Sequence, residues 1–323
     1  MYRYEYYYFE LLDMFKMLKR YHLYNIPKVK GSIYKYYTKK ANSSFRELTV
    51  NEMSDINPNL NSKVIVSLTT YGERTKLVYI TIDTIMRQTV KPYKVILWLS
   101  EEEYPNGEED LPDALLIRLN NCPIFEIRFC EDLKPHKKYY EAMTQYPEYT
   151  IVTADDDVFY PSNWLETLIL LHMKYPDCIC CSVAHEITID EDGEIMKYSE
   201  WNHQVDKVGP SMRLCPVGVG GVLYPPASLN IDYCKKDIIK KTCLYADDLW
   251  LKTMSLLNHT PVVRTSMFGY GFLTVNGVEK SALSLSNVKE NKNDTQLQSI
   301  MCIYGKYVRE VFKNDNNSNI SNS

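Results

Sequence analysis

Apolar residues recur along residues 5–24 at near-helical spacing. Tyr8, Leu11, Leu12, Phe15 and Leu18 form one stripe, and Pro27 marks the expected end of that helix. Polarity then mixes over 25–60, ending in Asp55-Ile-Asn-Pro-Asn-Leu-Asn61, whose turn formers read as a linker. From Lys63 the texture changes. Val64–Thr69 has the composition of a buried strand. Val78, Ile82, Ile85 and Met86 follow as a helix stopping near Pro92. Lys94–Ser100, Phe125–Phe129 and Tyr149–Ala154 read as further strands, separated by helical stretches at Leu111–Asn120 and Lys137–Met143.

Strand–helix alternation with crossovers of this length predicts an α/β fold, a mostly parallel sheet covered by helices on both faces. Ligands in such sheets sit at the carboxyl ends of the strands. That rim would hold Thr69, Thr70 and Tyr71 together with Asp155, Asp156 and Asp157. Asn163, with Glu166 three residues on, reads as a capping box for an apolar helix from Trp164 to Met173. Strand-like pieces follow at 179–183 and 186–189, around a turn at 190–193. Then come the glycine-rich Val217–Tyr224, a helix opened by Asp247 and Asp248, a strand at Val262–Arg264, and an Asn/Ser-rich tail over 313–323 that is expected to fray.

Composition narrows the class. Of 323 residues 45% are hydrophobic and 24% charged, at net charge −4, which fits a globular protein and argues against a nucleic-acid binder. The charge is uneven: residues 1–40 carry +6 and ten of the 27 tyrosines, so a basic, Tyr-rich head precedes an acidic body. No run of 18 apolar residues occurs, and acids interrupt the first ten residues where a secretory signal needs an apolar segment. The nine cysteines lack zinc-site spacing and are expected to be reduced and mostly buried, in a cytoplasmic protein.

Two acidic groups carry the candidate chemistry. Asp155 and Asp157, two apart on an extended chain, point to one side. Such a pair suits a hard divalent cation that shares its remaining positions with water and a diphosphate; a solvated turn is the plainer reading. Asp247 and Asp248 open an apolar helix, either as dipole complements or as a general base. Trp250 is a core residue or a sugar platform. The Gly218–Gly221 stretch is a phosphate-approaching loop or a tight bend between strands.

The order of these features, a strand ending in Thr-Thr-Tyr71, Asp155-x-Asp157 after the fourth strand, a glycine-rich segment and an acidic pair opening a helix, resembles the GT-A fold glycosyltransferases, most closely the family 2 group. The resemblance spans roughly 63–275. It implies a catalytic domain over 61–275, a helical extension and linker over 1–60, and a flap or helix with a frayed tail over 276–323. It implies that Thr69, Thr70, Tyr71 and Arg74 cradle the nucleotide, with Asp132 nearby and Lys137 and Lys138 meeting the diphosphate. Asp155 and Asp157 would hold Mn²⁺ or Mg²⁺, with Asp156 on the ribose side. Gly220, Gly221 and Trp250 would border donor and acceptor. Asp248 would be the base of an inverting transfer, although Asp247 replaces the family's usual Glu and could serve instead. The donor implied is a nucleotide-diphospho-sugar, expected to be a UDP-sugar, and the acceptor a glycan or lipid-linked oligosaccharide.

Two rivals stand beside this. Haloacid-dehalogenase-type phosphatases also place Asp-x-Asp at a strand end, but that strand normally opens their domain, whereas three strand–helix units precede Asp155 here. A catalytically inactive sugar-nucleotide-binding protein is the other. The basic head would dock on an anionic membrane, pack on the body, or form a homodimer through residues 1–45.

Overall fold

The computed structural model describes residues 2–21, 23–24, 26–268, 271–277 and 292–320, with side chains as far as 314. The four predicted strands form and run in parallel: β1 (Val64–Thr69), β2 (Lys94–Ser100) and β4 (Thr150–Ala154) from mainly apolar stretches, and β3 (Phe125–Cys130) from an alternating one. Their crossovers are α4 (Val78–Met86), α5 (Asp113–Asn121) and α6 (Lys137–Gln145). β1 pairs in parallel with β2 on one side and β4 on the other, the latter in register Leu68 to Ala154. The strand order therefore reverses between β1 and β4, which opens a crevice beyond their carboxyl ends.

After α7 (Trp164–Lys174) the sheet continues through β5 (Ile179–Cys181), β8 (Val222–Tyr224) and β9 (Val262–Arg264). The seven strands lie in the order β3-β2-β1-β4-β8-β5-β9. β8 is antiparallel to both β4 and β5, so the glycine-rich segment ends in a reversed strand wedged beside the acidic one. A small second sheet joins β6 (Ala184–Glu186) to β7 (Leu214–Pro216). α8 (Lys236–Thr242), α9 (Asp247–Leu257) and α10 (Lys292–Ile320) complete the element order. The flap or helix expected over 276–323 lies partly in 278–291, outside the described residues; Lys292–Ile320 is helical.

The head departs from the expected pattern. α1 runs Arg3–Arg20, and Pro27 does not close it but opens a second helix, α2 (Pro27–Ser44), where its fixed φ and missing N–H are harmless. α3 (Val50–Ser54) follows, held by a true capping box between Thr49 and Glu52. The apolar stripe of α1 joins the same core as β1: Tyr8 stacks on Phe272 at 5.4 Å and Tyr4 meets Phe159 at 5.5 Å. Burying each of Leu11, Leu12 and Phe15 contributes about 1.5–3 kcal/mol. Glu5 is buried as well, accepting the Ser162 N–H and stapling α1 to the loop before α7. The capping box expected at Asn163 does not form; the Glu166 carboxylate accepts from the Thr89 hydroxyl at 2.9 Å instead. All nine cysteines are free and seven are buried.

Candidate active site

A cavity of about 600 Å³ occupies the crevice beyond β1 and β4. Thr69, Thr70, Tyr71 and Arg74 line it from the end of β1. Asp155, Asp156 and Asp157 line it from β4, Asp132 from the loop after β3, Lys137 and Lys138 from the start of α6, and Asp247 and Asp248 from the start of α9.

Asp156 is turned inward. The Arg74 guanidinium donates to both its carboxylate oxygens, and the Thr70 hydroxyl donates to one of them. Arg74 also pairs with Asp157 at 2.9 Å. Thr81, on α4, donates to the Asp156 carbonyl at 3.0 Å and accepts the Val158 N–H at 3.0 Å, so the acidic loop is pinned from behind. Burial, followed by repulsion from Asp156, pushes the Asp157 carboxyl up to about 7 against the pull of Arg74.

On the other wall Lys138 sits between carboxylates, 2.9 Å from Asp155 Oδ1 and 2.9 Å from Asp247 Oδ2. Asp248 accepts the Gly218 N–H at 3.0 Å. A Cβ on Gly218 would stand 3.0 Å from Lys138 Nζ and 3.2 Å from both Asp155 Oδ1 and Asp248 Oδ1, so the three charged groups converge on that glycine. Burial and the neighbouring Asp247 push Asp248 up to about 7. Burial acts on Asp247 in the same sense, but Lys138 outweighs it and holds that carboxyl below its ordinary range. The adjacent acids are thus split: one is ionised and paired, the other is poised near neutrality. Burial also raises Asp132, but Lys134 and Lys137 outweigh it and bring its carboxyl down to about 2.

Seven carboxylates line the cavity (Glu103 with the six aspartates) against four basic side chains, Arg74, Lys134, Lys137 and Lys138. Burial raises Asp157 and Asp248 first, and the neighbouring aspartates add to it. Among the described residues no group of three or more His, Cys, Asp or Glu is arranged to hold a metal ion. Asp155 and Asp157, whose side chains are 30% and 17% exposed, therefore offer at most a two-carboxylate site. Such a site fits a hard cation that completes its shell with water and ligand oxygens.

Three expected border residues lie elsewhere. Gly220 and Gly221 pack against Val183 and Trp164, and Gly221 has φ +76, so they serve the bend into β8 rather than the cavity. Trp250 is fully buried, donates to the Tyr233 carbonyl at 3.1 Å and packs edge-on to Tyr304; it is core. His136 is likewise structural, bonded to Tyr139 and to the Cys243 carbonyl, with burial lowering it to about 4. His185 and Tyr198 do reach the cavity, while Trp201 is buried and Glu186 pairs with Lys207. Sequence reasoning named Gly218 only as part of the glycine-rich stretch, and it missed Glu103, Lys134, Tyr198 and Tyr245, which line the cavity and which no motif marks.

No family model matches the chain, and no curated protein matches it. Among solved structures, a mannosyltransferase, PcManGT from Pyrobaculum calidifontis in complex with GDP-Man and Mn²⁺, aligns with 80% of this chain and 72% of its own. The identity is 12% and the TM-score 0.45.

Proposed function

We propose that the protein is a metal-dependent glycosyltransferase that moves a sugar from a nucleotide-diphospho-sugar to an acceptor hydroxyl with inversion. The observation that carries this reading is the convergence of Asp155, Lys138 and Asp248 around Gly218, in the crevice between β1 and β4. Asp248 is the base. It is ionisable near neutrality, faces the cavity, and is oriented by the Gly218 N–H, whereas Asp247 is spent on Lys138. The acceptor oxygen gives its proton to Asp248 and bonds to the anomeric carbon. The bond from that carbon to the diphosphate oxygen breaks, and the nucleoside diphosphate leaves with the electron pair. Mg²⁺ or Mn²⁺ held by Asp155 and Asp157 would supply charge neutralisation for that leaving group. Thr69 and Tyr71 face the nucleotide. Arg74 and Asp156, each committed to the other, position the acidic loop. The acceptor we expect is a glycan or lipid-linked oligosaccharide, met on the cytoplasmic side.

A thermal-shift panel of UDP- and GDP-sugars, with and without Mn²⁺, tests the reading. Metal-dependent stabilisation by at least one donor is expected. Asp248→Asn should keep that shift and lose transfer, and Asp157→Asn should weaken the metal-dependent part. Transfer at wild-type rate by Asp248→Asn, or hydrolysis of generic phosphate esters with no donor shift, would overturn it. The second outcome would favour a phosphatase.

A further inference from the structure

Residues 14–46 contain nine Lys and Arg and not one Asp or Glu. The apolar stripe of α1 is consumed by the core, so it is not free to enter a bilayer. What remains outside is different. α2 turns Tyr37, Thr38 and Ala41 inward, while Lys28, Ser32, Lys35, Tyr36 and Lys39, at helical spacing, form its exposed face. On the last turn of α1 and the turn that joins it to α2, Met17, Tyr21, Leu23 and Ile26 are 46%, 62%, 42% and 42% exposed, with Arg20 and Lys28 beside them. A lysine face ending in an exposed apolar tip is therefore built on one helical hairpin.

We infer that this hairpin is a docking surface for an anionic lipid bilayer, the α2 lysines facing the headgroups and the tip entering the interface. The lysine face alone would also suit nucleic acid, but the apolar tip has no use there, and the rest of the chain carries the excess acid that a polyanion would meet. The inner side of the same helix holds the cavity wall. Tyr34 donates to the Phe272 carbonyl at 2.8 Å, and Asn42 donates to the Thr274 carbonyl at 2.9 Å while accepting the Asn276 N–H at 2.8 Å. Thr274 lines the cavity. Docking through α2 would thus hold that wall close to the membrane plane, where a lipid-linked acceptor lies.

The test uses the full-length protein and requires no turnover, so it stands apart from the transferase assignment. Co-sedimentation is measured with phosphatidylglycerol-containing vesicles and with pure phosphatidylcholine vesicles. Two variants are compared, Lys28→Glu/Lys35→Glu/Lys39→Glu and Tyr21→Ser/Leu23→Ser/Ile26→Ser, each checked for unchanged circular dichroism and melting. The substituted side chains are exposed or near the turn, so both should fold. The wild type should prefer the anionic vesicles. The charge-reversed variant should lose about tenfold or more of that partitioning, since each basic residue near the surface contributes to it. The tip variant should bind anionic vesicles more weakly and release more readily in high salt. Equal partitioning of wild type and charge-reversed variant, no preference for anionic lipid, or tighter binding to duplex DNA than to the anionic vesicles would overturn the inference.

Discussion

Replacing Lys138 by Met removes the cation at the centre of the cavity wall and keeps most of its volume. Lys138 is buried, and its ammonium lies 2.9 Å from Asp155 and 2.9 Å from Asp247. Removing one partner of a buried pair leaves an uncompensated charge and typically costs 3–5 kcal/mol. Two features set where in that range this site falls. The Asp247 side chain, 11% exposed, would regain little water, whereas Asp155, at 30%, would rehydrate more readily through the cavity. The expected loss is therefore near the lower end, about 3 kcal/mol at neutral to alkaline pH. Its pH dependence has a definite sign. Lys138 depresses Asp247, so that stabilisation is present above the ordinary carboxyl value and is lost as pH falls through the depressed one. Without Lys138 the acids take up protons more readily in the folded state, so the deficit shrinks toward acid. Urea unfolding of wild type and variant at about pH 8 and about pH 5 measures both quantities. A deficit under about 1 kcal/mol at the higher pH, or one that does not shrink at the lower, would refute the reasoning.

Further predictions follow from the same geometry. Gly218→Ala would place a methyl 3.0–3.2 Å from three charged tips, which can each yield slightly; stability should change little while turnover falls by about a hundredfold from misplacement of the base, as read from kcat and urea unfolding. Trp250→Ala should cost about 3–5 kcal/mol of stability yet leave donor affinity at folded conditions unchanged, separating core from platform. Turnover should rise with pH through about 7 as Asp248 loses its proton, and a flat profile across that window would remove it as the base.

The first half of the sheet was legible because β1, β2 and β4 are mainly apolar, β3 alternates as a half-buried edge strand does, and their crossovers are long enough to show helical period. The position of the three adjacent aspartates was legible because they directly follow a strand of the parallel sheet, whose carboxyl end faces the crevice. β8 was not. Three residues, Val222–Tyr224, are too short for periodicity, and their antiparallel direction follows from where the chain re-enters the sheet. The same limit hid which glycine stands among the charged side chains. Gly218, Gly220 and Gly221 are chemically identical in sequence, and only the approach of Lys138, Asp155 and Asp248 to one and of Val183 and Trp164 to the others tells them apart.

The sequence by itself determined the α/β class, the rim on which the acids gather, and the uneven charge of the head, since these depend on local period and composition. Tertiary structure decided which charges meet. It gave Lys138 to Asp155 and Asp247 and left Asp248 facing the cavity. It also spent the apolar face of α1 on the core and left the lysines of α2 outside. Coulombic pairing and burial act through distances between residues far apart in the chain, and only the folded packing sets those distances.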